Sequence, residues 1–125
     1  MLNDSEVVAM IAVTDIHRAA TFYETTLGLR RETTEGAEVI TYRSGATRLN
    51  IYRSEFAGTN KATAVLWNVG KEIGKVAAAL AAKGVRFEHY DMPGMTVTDG
   101  MYSNDNMKVA WFKDPDGNIL SIVGV

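Results

Sequence analysis

Cysteine is absent from these 125 residues. That absence excludes disulfides, thiolate metal sites and a cysteine nucleophile together. A strong charge of either sign is missing too: thirteen Lys and Arg face fifteen Asp and Glu, for a net charge of −2. No run of basic residues is long enough to follow a phosphate backbone, so nucleic acid is not an expected partner. No apolar run approaches the ~20 residues that cross a bilayer, so no membrane span is expected. The opening Met1-Leu2-Asn3-Asp4-Ser5-Glu6 is acidic and lacks the basic-then-apolar layout of a secretory signal. A cytoplasmic protein is the resulting expectation. Gly94, Gly100 and Gly117 form no phosphate-binding spacing, and neither a Rossmann nor a P-loop motif occurs.

What the chain does contain is 46% hydrophobic and 22% charged residues, a balance that suits a packed core. Its length fits one domain of the common ~100–150 residue size. Val7 to Val13 is a continuous apolar run, expected to be a strand buried on both faces. Asp15 is placed to cap a helix whose apolar positions Ile16, Ala19, Ala20 and Tyr23 recur at helical spacing up to about Thr26, with Gly28 ending it. Strands are expected at Leu29 to Thr33, Ala37 to Tyr42 and Thr47 to Tyr52, the last two joined through Arg43-Ser44-Gly45-Ala46. Residues 54–61 have no periodicity and read as a linker.

The pattern then restarts. Ala62 to Val69 reads as a strand and Ile73, Val76, Ala77 and Leu80 as an amphipathic helix stopped at Lys83-Gly84. Val85 to Tyr90, Thr96 to Tyr102, Lys108 to Phe112 and Ile119 to Val123 are further strand candidates. Asp114-Pro115-Asp116-Gly117-Asn118 is a turn signal between the last two. Val13 answers to Val69 and Gly28 to Gly84, each pair 56 apart, and Leu49-Asn50-Ile51 answers to Leu120-Ser121-Ile122. Strand, helix and about three strands therefore occur twice, as a duplicated unit in one domain over residues 1–125: module one about 6–53, module two about 62–125.

Two segments carry a family resemblance. Asp15 to Tyr23 followed by Leu27-Gly28-Leu29 resembles the opening strand-helix of the vicinal oxygen chelate superfamily, and Trp111-Phe112-Lys113-Asp114-Pro115-Asp116-Gly117-Asn118 resembles its C-terminal signature. This superfamily includes glyoxalase I, bleomycin-resistance proteins and extradiol dioxygenases. The resemblance implies an α+β fold in which two βαβββ modules form a half-open eight-stranded barrel around a cleft. It implies no single activity, because one fold hosts many.

The superfamily's enzymes hold a metal on four inward-facing positions, usually His, Glu or Gln. By the resemblance and the internal repeat these positions are Val8, Asn50, Ala64 and Ser121 here. Two lack any ligand atom, and an amide and a hydroxyl are weak donors for a divalent transition metal. No metal or other cofactor is therefore expected. His17 falls in the first helical turn and reads as a solvated residue. His89 reads either as a general base beside a carboxylate or as an ordinary strand residue. The Asp114–Asn118 run has two carboxylates but lacks the remaining ligands of a calcium loop, so it reads as turn chemistry. Ser121 has no neighbour in sequence to activate it as a nucleophile.

Strand parity groups Val8, Met10 and Ala12 on one face, which the resemblance turns toward the cleft; it also groups Asn50 with Tyr52 and Ala64 with Leu66, and turns Trp67 toward the helix layer. Tyr90, Tyr102, Trp111 and Phe112 come from late strands and are candidate aromatic walls or plain core. The expected ligand-binding set is Val8, Asn50, Tyr52, Ala64, Tyr90, Tyr102, Trp111 and Ser121. An apolar cleft with a few hydrogen-bonding groups suits a small apolar or aromatic molecule, in the manner of the bleomycin-resistance relatives. The alternative is a lyase, isomerase or dioxygenase-related enzyme; a third reading is an interaction module with a filled cleft. The resemblance also implies a homodimer.

Overall fold

Asp15 begins the first helix by accepting hydrogen bonds from the backbone N–H groups of His17 (3.0 Å) and Arg18 (3.1 Å), two donors that no earlier turn can satisfy. A computed structural model describes all 125 residues, Glu35 by its backbone alone. The chain divides into two compact units, Met1–Ala57 and Gly58–Val125.

In the first unit, β1 (Ala9–Val13) leads to α1 (Ile16–Ala20), which continues as a π-helical stretch over Thr21–Thr26. Three strands follow: β2 (Arg30–Glu35), β3 (Val39–Ser44) and β4 (Thr47–Arg53). They form a four-stranded sheet in the order β1-β4-β3-β2, with β1 parallel to β4 and the rest antiparallel. The strand expected from Val7 begins at Ala9 and is not buried on both faces. Ile11 and Val13 are 2% and 0% exposed while Met10, of the opposite parity, is 53% exposed. The continuous apolar run hides an alternation because the outward residue is itself apolar. The wider π-helical turns, with Leu27 N–H bonded to Phe22 C=O at 3.0 Å, bring Tyr23 fully under the sheet, where its ring stacks on Tyr42 at 6.3 Å. They also set Glu24 against Arg31 (2.6 Å) and the Tyr42 hydroxyl (2.7 Å). Burial pushes the Glu24 carboxyl up, but the hydrogen bonds from Tyr42 and Arg31 outweigh it and hold the group below its ordinary value.

In the second unit, β5 (Thr63–Gly70) precedes α2 (Ile73–Ala82), and four strands follow: β6 (Thr96–Thr98), β7 (Met101–Ser103), β8 (Lys108–Lys113) and β9 (Ile119–Gly124). The five-stranded order is β5-β9-β8-β7-β6, with β5 parallel to β9. Two expectations are corrected here. Val85 to Tyr90 is not a strand: it runs beside β8 with one backbone bond, Glu88 N–H to Trp111 C=O at 2.7 Å. Thr96 to Tyr102 is not one strand but a tight hairpin, folded at Asp99 (φ 51°) and Gly100 (φ 80°). Asp-Gly is one of the few pairs that take two successive positive φ values at low cost, and that local preference overrides the β-rich flanks.

The fold is α+β, two units of βαβββ type with neither sheet closed on itself. The second unit carries one short strand more than the first. The repeat read from the sequence reappears in the register. Met10 pairs with Asn50 in the first sheet, and Leu66, 56 residues on, pairs with Ser121 in the second.

Candidate ligand-binding site

Sheet register fixes which side chains meet, because residues directly opposite on neighbouring strands share a face. In the second unit Leu66, Ser121 and Trp111 stand in one row across β5, β9 and β8. The next row is Asn68, Val123, Val109, Tyr102 and Val97. Trp67 lies in the row of Ile122 and Ala110 on the opposite face, which α2 covers: a Cβ on Gly124 of that face would meet Ile73 at 2.9 Å. A hollow of about 550 Å3 also lies on that helix side, left by Gly74, Ala77, Ala78 and Ala81 opposite Met101 and Ala110. It is not at the aromatic face.

Trp111 is the centre of that face. Tyr90 and Tyr102 both meet its ring edge-to-face, each with centroids 5.4 Å away. Its indole Nε1 donates to Thr63 Oγ1 at 3.2 Å. Tyr102 is 1% exposed and its hydroxyl holds the Tyr90 backbone twice, accepting from the N–H and donating to the C=O at 2.8 Å. This fixes Tyr90, which has no ladder to hold it, over Trp111. Tyr90 is 38% exposed; burial first, and the Glu88 carboxylate second, push its phenol above the ordinary value. Ser121 is 2% exposed, and its row neighbours Leu66 and Trp111 are not bases that could take its proton. Leu66 and Val97 are open to solvent at 55% and 44%. Three residues of the expected set, Tyr102, Trp111 and Ser121, therefore share one sheet face, and Tyr90 packs against it from an irregular segment.

Ala64 does not join them. The β5–β9 register slips between Thr63 and Val65, leaving Ala64 as the unpaired residue of a bulge and Thr63 as the side chain that reaches Trp111. In the first unit Asn50 is flanked by Met10 and Thr41, and its Oδ1 accepts from the Thr41 hydroxyl at 2.7 Å. Tyr52, half-buried, is opposite Ala12 and Val39 on the same face. Val8 precedes β1, is 37% exposed and pairs with no strand.

The metal that the fold family implies does not fit this donor set. Val8 and Ala64 offer no ligand atom, and the Asn50 oxygen is already engaged by Thr41. Among the described residues no group of three His, Cys, Asp or Glu side chains gathers to hold an ion. His17 and His89 are both exposed. Asp114 turns inward to the amides of its own turn, not to a cation: Oδ1 accepts from Asp116 and Asn118 N–H, each at 2.9 Å.

A family model described as the Glyoxalase/Bleomycin resistance protein/Dioxygenase superfamily matches residues 7–122. The chain belongs to that superfamily. Among solved structures, the glyoxalase/bleomycin resistance protein/dioxygenase from Alicyclobacillus acidocaldarius has a TM-score of 0.72 at 17% identity, covering 99% of this chain and 94% of that one. Lactoylglutathione lyase from Agrobacterium tumefaciens also has a TM-score of 0.72, at 13% identity over 97% of this chain and 93% of its own. The fosfomycin resistance protein FosX from Mesorhizobium loti reaches 0.69 at 11% identity, over 100% and 94%. At such identities superfamily members share the fold, and the site residues carry any argument about chemistry. Among curated proteins no sequence matches.

Thr63 is the residue of the Trp111 face that sequence reasoning missed, because it depends on a bulge that leaves no mark in the pattern. In the first unit Met10, which parity groups with Val8, stands opposite Asn50. Among the described residues no helix is long and apolar enough to cross a membrane.

Proposed function

We propose that this superfamily member binds a small apolar or aromatic molecule without a metal, at the Trp111 face of the second unit. The observation that carries the reading is the Tyr90–Trp111–Tyr102 cluster beside Ser121, flanked by exposed Leu66 and Val97. An indole with its N–H engaged by Thr63 and its ring held by two tyrosines is a pre-organised surface, so little ordering entropy opposes binding. Planar rings gain about 0.5–1.5 kcal/mol from each aromatic contact beyond the area they bury.

The test uses the Trp67→Phe variant, which leaves Trp111 as the only indole. Titration with a panel of planar heteroaromatic compounds should quench its fluorescence and raise Tm, and Trp111→Ala should weaken binding at least tenfold while the protein stays folded. If no compound of the panel shifts Tm or emission, the reading fails. Lactoylglutathione lyase among the similar structures keeps an enzymatic alternative in view. Turnover of methylglyoxal with glutathione, together with stoichiometric metal in protein purified without chelators, would replace the binding reading with that one. We propose a cytoplasmic homodimer, on composition and family resemblance; sedimentation at micromolar concentration decides the assembly.

A further inference from the structure

The first unit puts three arginines in one row. Arg30 of β2 is directly opposite Arg43 of β3, and Arg43 is directly opposite Arg48 of β4. Cross-strand partners share a face with Cβ atoms about 5 Å apart, and like charges there destabilise the sheet. Folding alone gives no reason to place three guanidiniums together. Two carboxylates answer them. Glu32, at the register slip between Arg31 and Thr33, is 2.9 Å from Arg48 Nε and 3.6 Å from Arg43 Nη1. Glu6 is 3.9 Å from Arg48, with its side chain 89% exposed. Arg30 has no ion pair among the described residues, so the row keeps an excess of positive charge.

The rows beside it on the same face add the rest of a site. Thr33, Thr41, Asn50 and Met10 form the next row, then Val39, Tyr52 and Ala12. Asn50 accepts from Thr41 through Oδ1, so the group it can offer a ligand is its amide Nδ2, a donor. Met10, 53% exposed, offers an apolar surface. A hollow of about 230 Å3 opens at the end of the row, between Ala46, Thr47 and Arg48 on one side and Glu6, Val7 and Val8 on the other.

We infer that this face binds a small molecule carrying a phosphate group, with the phosphate on the arginine row and its organic part toward Asn50, Met10 and Tyr52. Guanidinium forks match phosphate oxygens bidentately, and a dianion turns the repulsion between the arginines into attraction. The inference does not depend on the aromatic face of the second unit.

The experiment measures Tm and calorimetric affinity for inorganic phosphate and for phenyl phosphate, each against sodium chloride at matched ionic strength. Both compounds should raise Tm above the chloride control, and phenyl phosphate should bind at least tenfold more tightly. Arg30→Gln should raise Tm in low-salt, phosphate-free buffer by relieving repulsion, yet weaken phosphate binding at least fivefold. Arg43→Gln should weaken it likewise, while Lys61→Gln, between β4 and β5, changes neither quantity. A phosphate shift no larger than that of chloride overturns the inference. So does full phosphate affinity in both arginine variants, or equal affinity for the two compounds, which would mean that only screening or a bare ion is read.

Discussion

Asp114, at 5% exposure, is a carboxylate that costs energy to bury unless its oxygens are occupied. They are: Oδ1 takes two backbone N–H groups and Oδ2 takes the Asn118 side-chain amide at 2.8 Å. Asp114→Ala strands these donors, and at the energies usual for hydrogen bonds to charged groups it should cost about 3 kcal/mol in urea unfolding. A second prediction concerns pH. The Glu24 carboxyl is held below its ordinary 4.5 by Tyr42 and Arg31 against the opposing effect of burial. A group with a lowered folded pKa contributes stability above its unfolded value and loses it as pH falls through the folded one. Stability should therefore drop below about pH 4.5 more steeply in the wild type than in Glu24→Gln, as followed by urea midpoints from pH 7 to pH 3. Burial, then Glu24, raises the Tyr42 phenol well above its ordinary value. The stability it contributes is present at neutral pH and is lost only on the alkaline side. A third residue, Tyr102, is tested by Tyr102→Phe, which removes both contacts to the Tyr90 backbone. It should cost about 1–2 kcal/mol and speed amide exchange at Tyr90, with β9 protection unchanged.

Among the elements, those with one dominant signal were readable and those set by partners were not. The helix start at Asp15, the stop at Gly28 (φ 75°) and the Asp114–Asn118 turn each follow from the chemistry of a single residue. The π-helical turns after Ala20 do not, because Tyr23, Glu24 and their partners on β2 and β3 decide them. The stretch from Val85 to Tyr90 has strand composition, but among the described residues only Trp111 C=O offers it a ladder bond, so composition misled. Of the site, Tyr102 and Trp111 could be named from their late strands, whereas Tyr90 was expected on a strand that does not form and is held instead by the Tyr102 hydroxyl. The replacement of Ala64 by Thr63 was not legible, since bulges arise from pairing. Glycines separate the same way. Gly124→Ala would put a Cβ 2.2 Å from Gly70 O and 2.9 Å from Ile73 Cβ, where β9, β5 and α2 meet. It should cost about 2–3 kcal/mol through overpacking. Gly45→Ala, at φ 57° with nothing within 4 Å, should cost only about 1 kcal/mol of backbone strain. Equal losses in thermal unfolding would contradict the packing argument.

At the scale of the whole chain, the two units share a topology while their corresponding rows differ in content. Met10, Asn50 and Thr41 in the first unit answer to Leu66, Ser121 and Trp111 in the second. A polar row with an engaged amide stands against an aromatic row with a buried hydroxyl, and neither contains an imidazole or a carboxylate. That pattern predicts how the folded protein responds to metal. A resident ion bound only to the native state adds stability of about 2.7 kcal/mol at a hundredfold excess over its Kd. In a chain of this size the loss of that much moves Tm by about ten degrees or more. Dialysis against EDTA should instead leave Tm within about one degree, and zinc, nickel or manganese added back should not raise it. A fall of several degrees on chelation, restored by one of these ions, would mean that a centre exists and is built from residues other than Val8, Asn50, Ala64 and Ser121. In that event the lyase reading would take precedence, because the scaffold would then hold both the fold and the ion that such chemistry needs.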